Sequence, residues 1–326
     1  MSKYFVIVAT MLVASSFVSG QGCSDAGFCT MGAMKPDQPY NKKIPIRLRS
    51  MEVSFYRGTT TLSPVVYVAT LDASFSIGKK NSFQIKLPFQ AVDGNFTSTG
   101  ELGSIGTTHS MGDISLCFTR NILSNENFDV NVSVGGKIPS NDANLKEPGG
   151  ASFPMYYQTS LGTYDAIAGI SFITRKWLFA TGIQHPFNQN KNQFTWGSWT
   201  PIYDGSDEYV RKYDQCYELK RGTDVMLRAE RNFRFARFNF SLGLLPIFRV
   251  TNDEIAEVIN GIPTGNRIKP EGAKGMALSA IGTAGYNFNV KMGVKLLVGH
   301  KIMQRETNPD GLTRVLVTSA SYFYRF

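Results

Sequence analysis

Beyond residue 45, apolar and polar residues alternate with a period of two along almost the whole chain. That is the spacing of strands whose two faces meet different surroundings. In 128–137, Phe128, Val130, Val132 and Val134 point one way, and Asp129, Asn131, Ser133, Gly135 and Lys137 the other. Phe83, Ile85, Leu87 and Phe89 alternate with Ser82, Gln84, Lys86 and Gln90. Val290, Met292, Val294, Leu296 and Val298 alternate with Lys291, Gly293, Lys295, Leu297 and Gly299, and Phe238, Phe240, Leu242 and Leu244 with Arg237, Asn239, Ser241 and Gly243. Helical periodicity is almost absent. The pattern predicts twelve strands, at roughly 45–57, 63–77, 81–91, 110–123, 127–138, 160–174, 177–186, 220–233, 235–249, 275–288, 289–303 and 313–326.

The connections give an independent check. Links at 78–80, 124–126, 175–176, 234 and around 289 are short, whereas 92–109, 139–159, 187–219, 250–274 and 304–312 are long. The first link, 58–62, is short but occupies an outside position; counted back from a periplasmic C-terminus, the long links all fall on one side and the other tight ones on the opposite side. Membrane barrels have short periplasmic turns and long external loops. Energetics fix which face meets lipid. The opposite choice would put Lys86, Asp113, Asp129, Lys291 and Lys295 into hydrocarbon, and each Lys or Arg at the midplane costs ~2–4 kcal/mol. The expectation is an all-β, antiparallel up-and-down transmembrane barrel of about twelve strands over residues 45–326, with its polar faces lining the lumen.

The ends place that barrel. Met1-Ser2-Lys3 followed by the apolar run Tyr4 to Val18 and then Val18-Ser19-Gly20 predicts a signal peptide over 1–20, removed to leave Gln21. The run is too short for a membrane anchor, since spanning takes ~20 apolar residues. A lipoprotein signal ending at Cys23 is the weaker alternative, because Gly20 stands where Leu is wanted. No later segment could cross a bilayer as a helix, so an exported chain with this patterning belongs in the outer membrane of a Gram-negative cell. The last residue, Phe326, shares a strand face with Tyr324 and Tyr322. This resembles the terminal signal that barrel-assembly machinery reads.

Charge and candidate chemistry add less. The net charge is +9, and strand parity turns Lys86, Lys137, Arg228, Arg237, Arg249, Lys291, Lys295 and Arg325 inward, opposite Asp113, Asp129, Asp224 and Glu230. Internal ion pairing accounts for a mixed-sign lumen; a slight preference for anionic solutes is the functional reading. Interior charge is no nucleic-acid surface. Cys23 and Cys29 could form a local disulfide in an oxidising compartment or remain two thiols. Cys117 and Cys216 fall in a strand and a long loop, and no Cys/His cluster suggests a metal or cofactor. The three histidines, His109, His185 and His300, lack the neighbours of a catalytic base; His185-Pro186-Phe187-Asn188 departs from the His-x-Ser-Asn-Gly pattern of phospholipase barrels. No enzyme is expected.

Four short stretches carry a resemblance: Leu87-Pro88-Phe89-Gln90, Met111-Gly112-Asp113-Ile114-Ser115-Leu116, Gly136-Lys137-Ile138-Pro139-Ser140 and Leu161-Gly162-Thr163-Tyr164-Asp165. Over residues 80–185 the chain resembles outer-membrane proteins of meta-pathway phenol degradation, relatives of the long-chain fatty-acid transporters. The resemblance implies passive uptake of small, often hydrophobic or aromatic solutes, and implies that residues 21–44 enter the lumen as a hatch. The alternative is a non-conducting barrel subunit of an outer-membrane secretion or assembly complex. The aromatic loop 187–219 either folds inward as a constriction or stands outside as a binding surface, the second being commoner for long loops.

Overall fold

A strand with one face in lipid and one in a lumen must bond to neighbours on both edges, because lipid offers no water to an open edge. The computed structural model satisfies this by closing on itself; it describes residues 46–60, 64–94, 106–199, 210–259 and 261–326. Fifteen strands lie among these residues: β1 (Ile46–Thr60), β2 (Val65–Ile77), β3 (Asn81–Asp93), β4 (Thr107–Met111), β5 (Ile114–Ser124), β6 (Phe128–Ile138), β7 (Asp165–Thr174), β8 (Trp177–Pro186), β9 (Asp224–Phe235), β10 (Phe238–Arg249), β11 (Ile255–Ile259), β12 (Ile262–Ile268), β13 (Gly275–Asn287), β14 (Met292–Met303) and β15 (Arg314–Arg325). Neighbours pair antiparallel around the ring, and β1 meets β15 to seal it, with Ser50 opposite Arg325 and Thr59 opposite Leu316.

The wall has twelve strands, because β4 and β5 together make one. The interruption falls at Gly112-Asp113, opposite Pro88. Pro88 has no N–H to continue the ladder, and Gly112 instead donates its N–H to the Pro88 carbonyl at 2.9 Å. A side chain at Gly112 would meet Pro88 Cγ at 3.1 Å and the Thr159 carbonyl oxygen at 3.3 Å. The expected strand 110–123 is therefore this broken pair. The strands expected from 160 and 220 begin at Asp165 and Asp224 instead, since the residues before them bond to side chains: Leu161 N–H to Asp113 and Gly222 N–H to Asp253. Segments 1–45, including the expected leader, the 21–44 hatch and Cys23 and Cys29, lie outside the described residues.

Faces alternate as the sequence predicts. On β10, Leu242 is 64% exposed while Leu245, on the other face, is 1% exposed. Phe55, Phe89, Phe179, Leu227, Phe240, Leu296 and Tyr322 stand outward around the wall. A water-soluble surface does not carry so continuous an apolar belt; lipid is the solvent that fits it. Among the described residues no helix is long and apolar enough to cross a membrane. Within the loop expected at 250–274, β11 and β12 form a hairpin that strand spacing alone did not reveal. Asn260-Gly261 between two Ile-containing runs was its local signal.

Candidate solute path

The lumen has two unlike walls. Across β1–β6 and β14, polar side chains satisfy one another. Lys295 pairs with Glu52 at 3.4 Å, Gln84 donates to Asp72 at 2.6 Å, and Asn121 donates to Asn131 at 3.0 Å. Elsewhere on the inner face, Cys117 of β5 joins Ile167, Leu178, Ala180, Met226, Leu245 and Ile281 of β7–β10 and β13 in a buried apolar cluster. Parity explains both, since each residue sits at an inward position of its strand.

The outer mouth is roofed. Residues 139–164, 187–199 and 210–223 fold inward and pack against Tyr56, Val66, Val92 and Val317 of the wall. Phe153 lies 5.6 Å from the Tyr157 ring and 5.7 Å from the Trp199 ring, and Tyr213 meets Tyr157 edge-on at 5.7 Å. Trp199 Nε1 donates to the Ser152 carbonyl at 2.9 Å, and Asn192 Nδ2 donates to the carbonyls of Ala143 at 2.8 Å and Phe153 at 3.0 Å. The described part of loop 187–219 is thus a constriction, and the commoner expectation of an external surface does not hold for it. Its aromatics find more apolar area to bury inside the mouth than they would against water.

Beneath the roof lies a cavity of about 150 Å³. Tyr56, Val66, Val68, Met155, Leu161, Leu297 and Leu312 give it an apolar lining; Lys86, Gln90, Asp113, Lys137, Gln158 and Arg314 supply the polar part. Lys137 and Asp113 pair at 3.2 Å, with both side chains buried.

Beside the cavity an ion network binds the roof to the wall. Arg221 reaches Asp165 at 3.0 Å; Arg249 reaches Asp224 at 2.6 Å and Asp310 at 2.8 Å, and also Asp253; Arg305 reaches Asp310 at 2.9 Å and Asp253 at 3.1 Å. None of these side chains is more than 7% exposed. Burial alone would raise the Asp310 carboxyl, but Arg305, Arg249 and Arg221 together hold it well below the usual carboxylate range. A second acid behaves oppositely: burial pushes Asp214 up, although the Asn308 N–H at 2.8 Å and the Tyr156 hydroxyl at 3.1 Å both donate to it.

The expected lumen residues divide into four groups. Lys86, Asp113 and Lys137 line the cavity. Asp224 belongs to the ion network, Arg228 and Glu230 pair at 2.5 Å, and Lys295 holds Glu52. Asp129 accepts from Ser124 at 2.6 Å near the short-turn end. Arg237 and Lys291 are exposed in the tight turns before β10 and β14, because strand parity stops where the chain turns. Cys117 and Cys216 are both buried, and no disulfide joins them. Asp253, Arg305 and Asp310 escaped the sequence reading because they lie in loops, where no periodicity assigns a face; Arg221 fell within the expected strand 220–233 but precedes β9. His109 and His300 are exposed, and His185 Nδ1 faces the Thr223 hydroxyl at 2.8 Å.

A closed twelve-stranded antiparallel wall with an apolar belt and a filled mouth defines an outer-membrane β-barrel. The chain is similar in fold to the COG4313 outer membrane channel from Pseudomonas putida F1, with a TM-score of 0.57 and 13% identity over 90% of this chain and 100% of that one. Weaker likenesses include the NanC porin, at TM-score 0.44 and 11% identity over 86% and 99% of the two chains, and the outer membrane phospholipase A from Escherichia coli, at 0.39 and 8% over 86% and 98%. No family model and no curated protein matches the sequence.

Proposed function

We propose that this barrel is an outer-membrane channel for passive uptake of small, largely hydrophobic or aromatic solutes. The observation that carries the reading is the position of Leu297. It lines the cavity under the roof and packs against both the roof cluster and the apolar wall cluster. Leu297 therefore joins the apolar part of the cavity lining to the buried cluster of Ile281, Leu245 and Met226 beside it. Polar solutes gain little there, since burying an unpaired polar group is costly.

Uptake of a radiolabelled aromatic solute by porin-deficient Gram-negative cells tests this. Cells carrying the protein should take up solute faster than cells without it. Met226→Lys should remove most of the gain, because it places a charge in the apolar wall. Equal uptake with and without the protein rejects the channel. The packed roof favours a second reading, a non-conducting subunit of a secretion or assembly complex. Such a barrel would show no conductance in planar bilayers and would copurify with partners. The protein is read as non-enzymatic, and lipid hydrolysis by purified barrel would overturn that.

A further inference from the structure

The net charge of +9 is unevenly placed. The described loops at the long-loop end, residues 139–164, 187–199, 210–223, 250–259, 261–274 and 304–313, hold ten basic and ten acidic residues. At the other end, the five tight turns hold Lys79, Lys80, Arg175, Lys176, Arg237 and Lys291 against the single acid Glu126. All six basic residues are exposed. They occupy four of the five turns, so the charge encircles the rim instead of forming a one-sided patch.

Two more arginines face outward just above that rim. Arg120 on β5 is exposed between the inward Thr119 and Asn121. Arg231 on β9 lies opposite Trp177, with its guanidinium 4.9 Å from the Trp177 ring and 5.9 Å from the Phe233 ring. Outward aromatics mark the level where hydrocarbon gives way to headgroups. A guanidinium on the lipid-facing wall at that level reaches toward phosphate, since hydrocarbon cannot solvate it.

We infer that this basic collar binds anionic phospholipid headgroups in the periplasm-facing leaflet. The collar goes beyond solute uptake and needs neither the cavity nor the roof. Its continuity around the wall matches a shell of lipids, whereas a protein partner would engage one sector. Outward Arg120 and Arg231 favour lipid for the same reason, because a soluble partner cannot follow them onto the wall. Attraction between exposed lysines or arginines and an anionic membrane surface is additive and screened by salt.

The test uses the full chain in phosphatidylcholine vesicles with spin-labelled phosphatidylglycerol or spin-labelled phosphatidylcholine as the probe. The motionally restricted fraction should favour phosphatidylglycerol about threefold at low salt and approach parity near ~0.5 M salt. The combined variant Lys79→Gln, Lys80→Gln, Arg175→Gln, Lys176→Gln, Arg237→Gln should lose the preference while migrating as a folded, heat-modifiable barrel. Should it fail to assemble, the pairs Lys79→Gln with Lys80→Gln and Arg175→Gln with Lys176→Gln, made separately, should each reduce the preference. No preference in the unaltered protein overturns the inference, as does a preference that survives the substitutions.

Discussion

Asp310 and Asp214 lie close in the roof yet respond to pH in opposite directions. Asp310 has its folded value depressed, so its contribution is present above the ordinary carboxylate pKa and is lost as pH falls through the lower folded value. Asp214 has its folded value raised, so its contribution is full below the ordinary pKa and is lost as pH rises through the higher folded value. Asp310→Asn should therefore destabilise the roof by ~3–5 kcal/mol at neutral pH, because it leaves buried arginines short of a carboxylate. Asp214→Asn should melt no lower than the unaltered protein at neutral pH, since the amide oxygen still accepts from Asn308 and Tyr156. Thermal melts across an acid titration, followed by tryptophan emission, distinguish the two.

At the scale of elements, the strands were readable because each face answers to a different solvent. Phe128 to Lys137 illustrates this, with lipid on one side and the lumen on the other. The roof was unreadable for the converse reason: Phe153, Trp199 and Tyr213 meet across segments far apart in sequence, and nothing local announces it. Lumen residues were legible by parity inside strands, as at Lys137 and Glu230, but Arg237 shows the rule failing at a turn. The broken strand was half legible. Pro88 and Gly112 are visible in the sequence, yet only the register sets them side by side. Gly112→Val should push Pro88 and Thr159 apart at a cost of ~1–3 kcal/mol, read as a lower heat-modification temperature. Gly261→Val strains a left-handed position at φ 78° in the β11–β12 hairpin. It should raise protease sensitivity there and leave the barrel intact.

For the whole molecule, closure joins the first and last strands of the wall, so the last residues must arrive before any edge is sealed. Phe326 donates its N–H to the Arg49 carbonyl at 2.9 Å, and its side chain faces outward. Deleting Phe326 should cut the assembled, heat-modifiable fraction in cells severalfold while leaving total synthesis unchanged; equal assembly would reject a role for the terminal residue. The roof follows different thermodynamics from the wall around it. Its aromatic cluster was withdrawn from water, so its melting exposes apolar surface to water and raises the heat capacity. The outer wall stays in contact with hydrocarbon while the roof melts, so its apolar belt adds no surface to water in that transition. A calorimeter should therefore see two transitions in lipid. The earlier one, with the larger heat-capacity step per residue, should coincide with the emission change of Trp196 and Trp199, two of the three tryptophans.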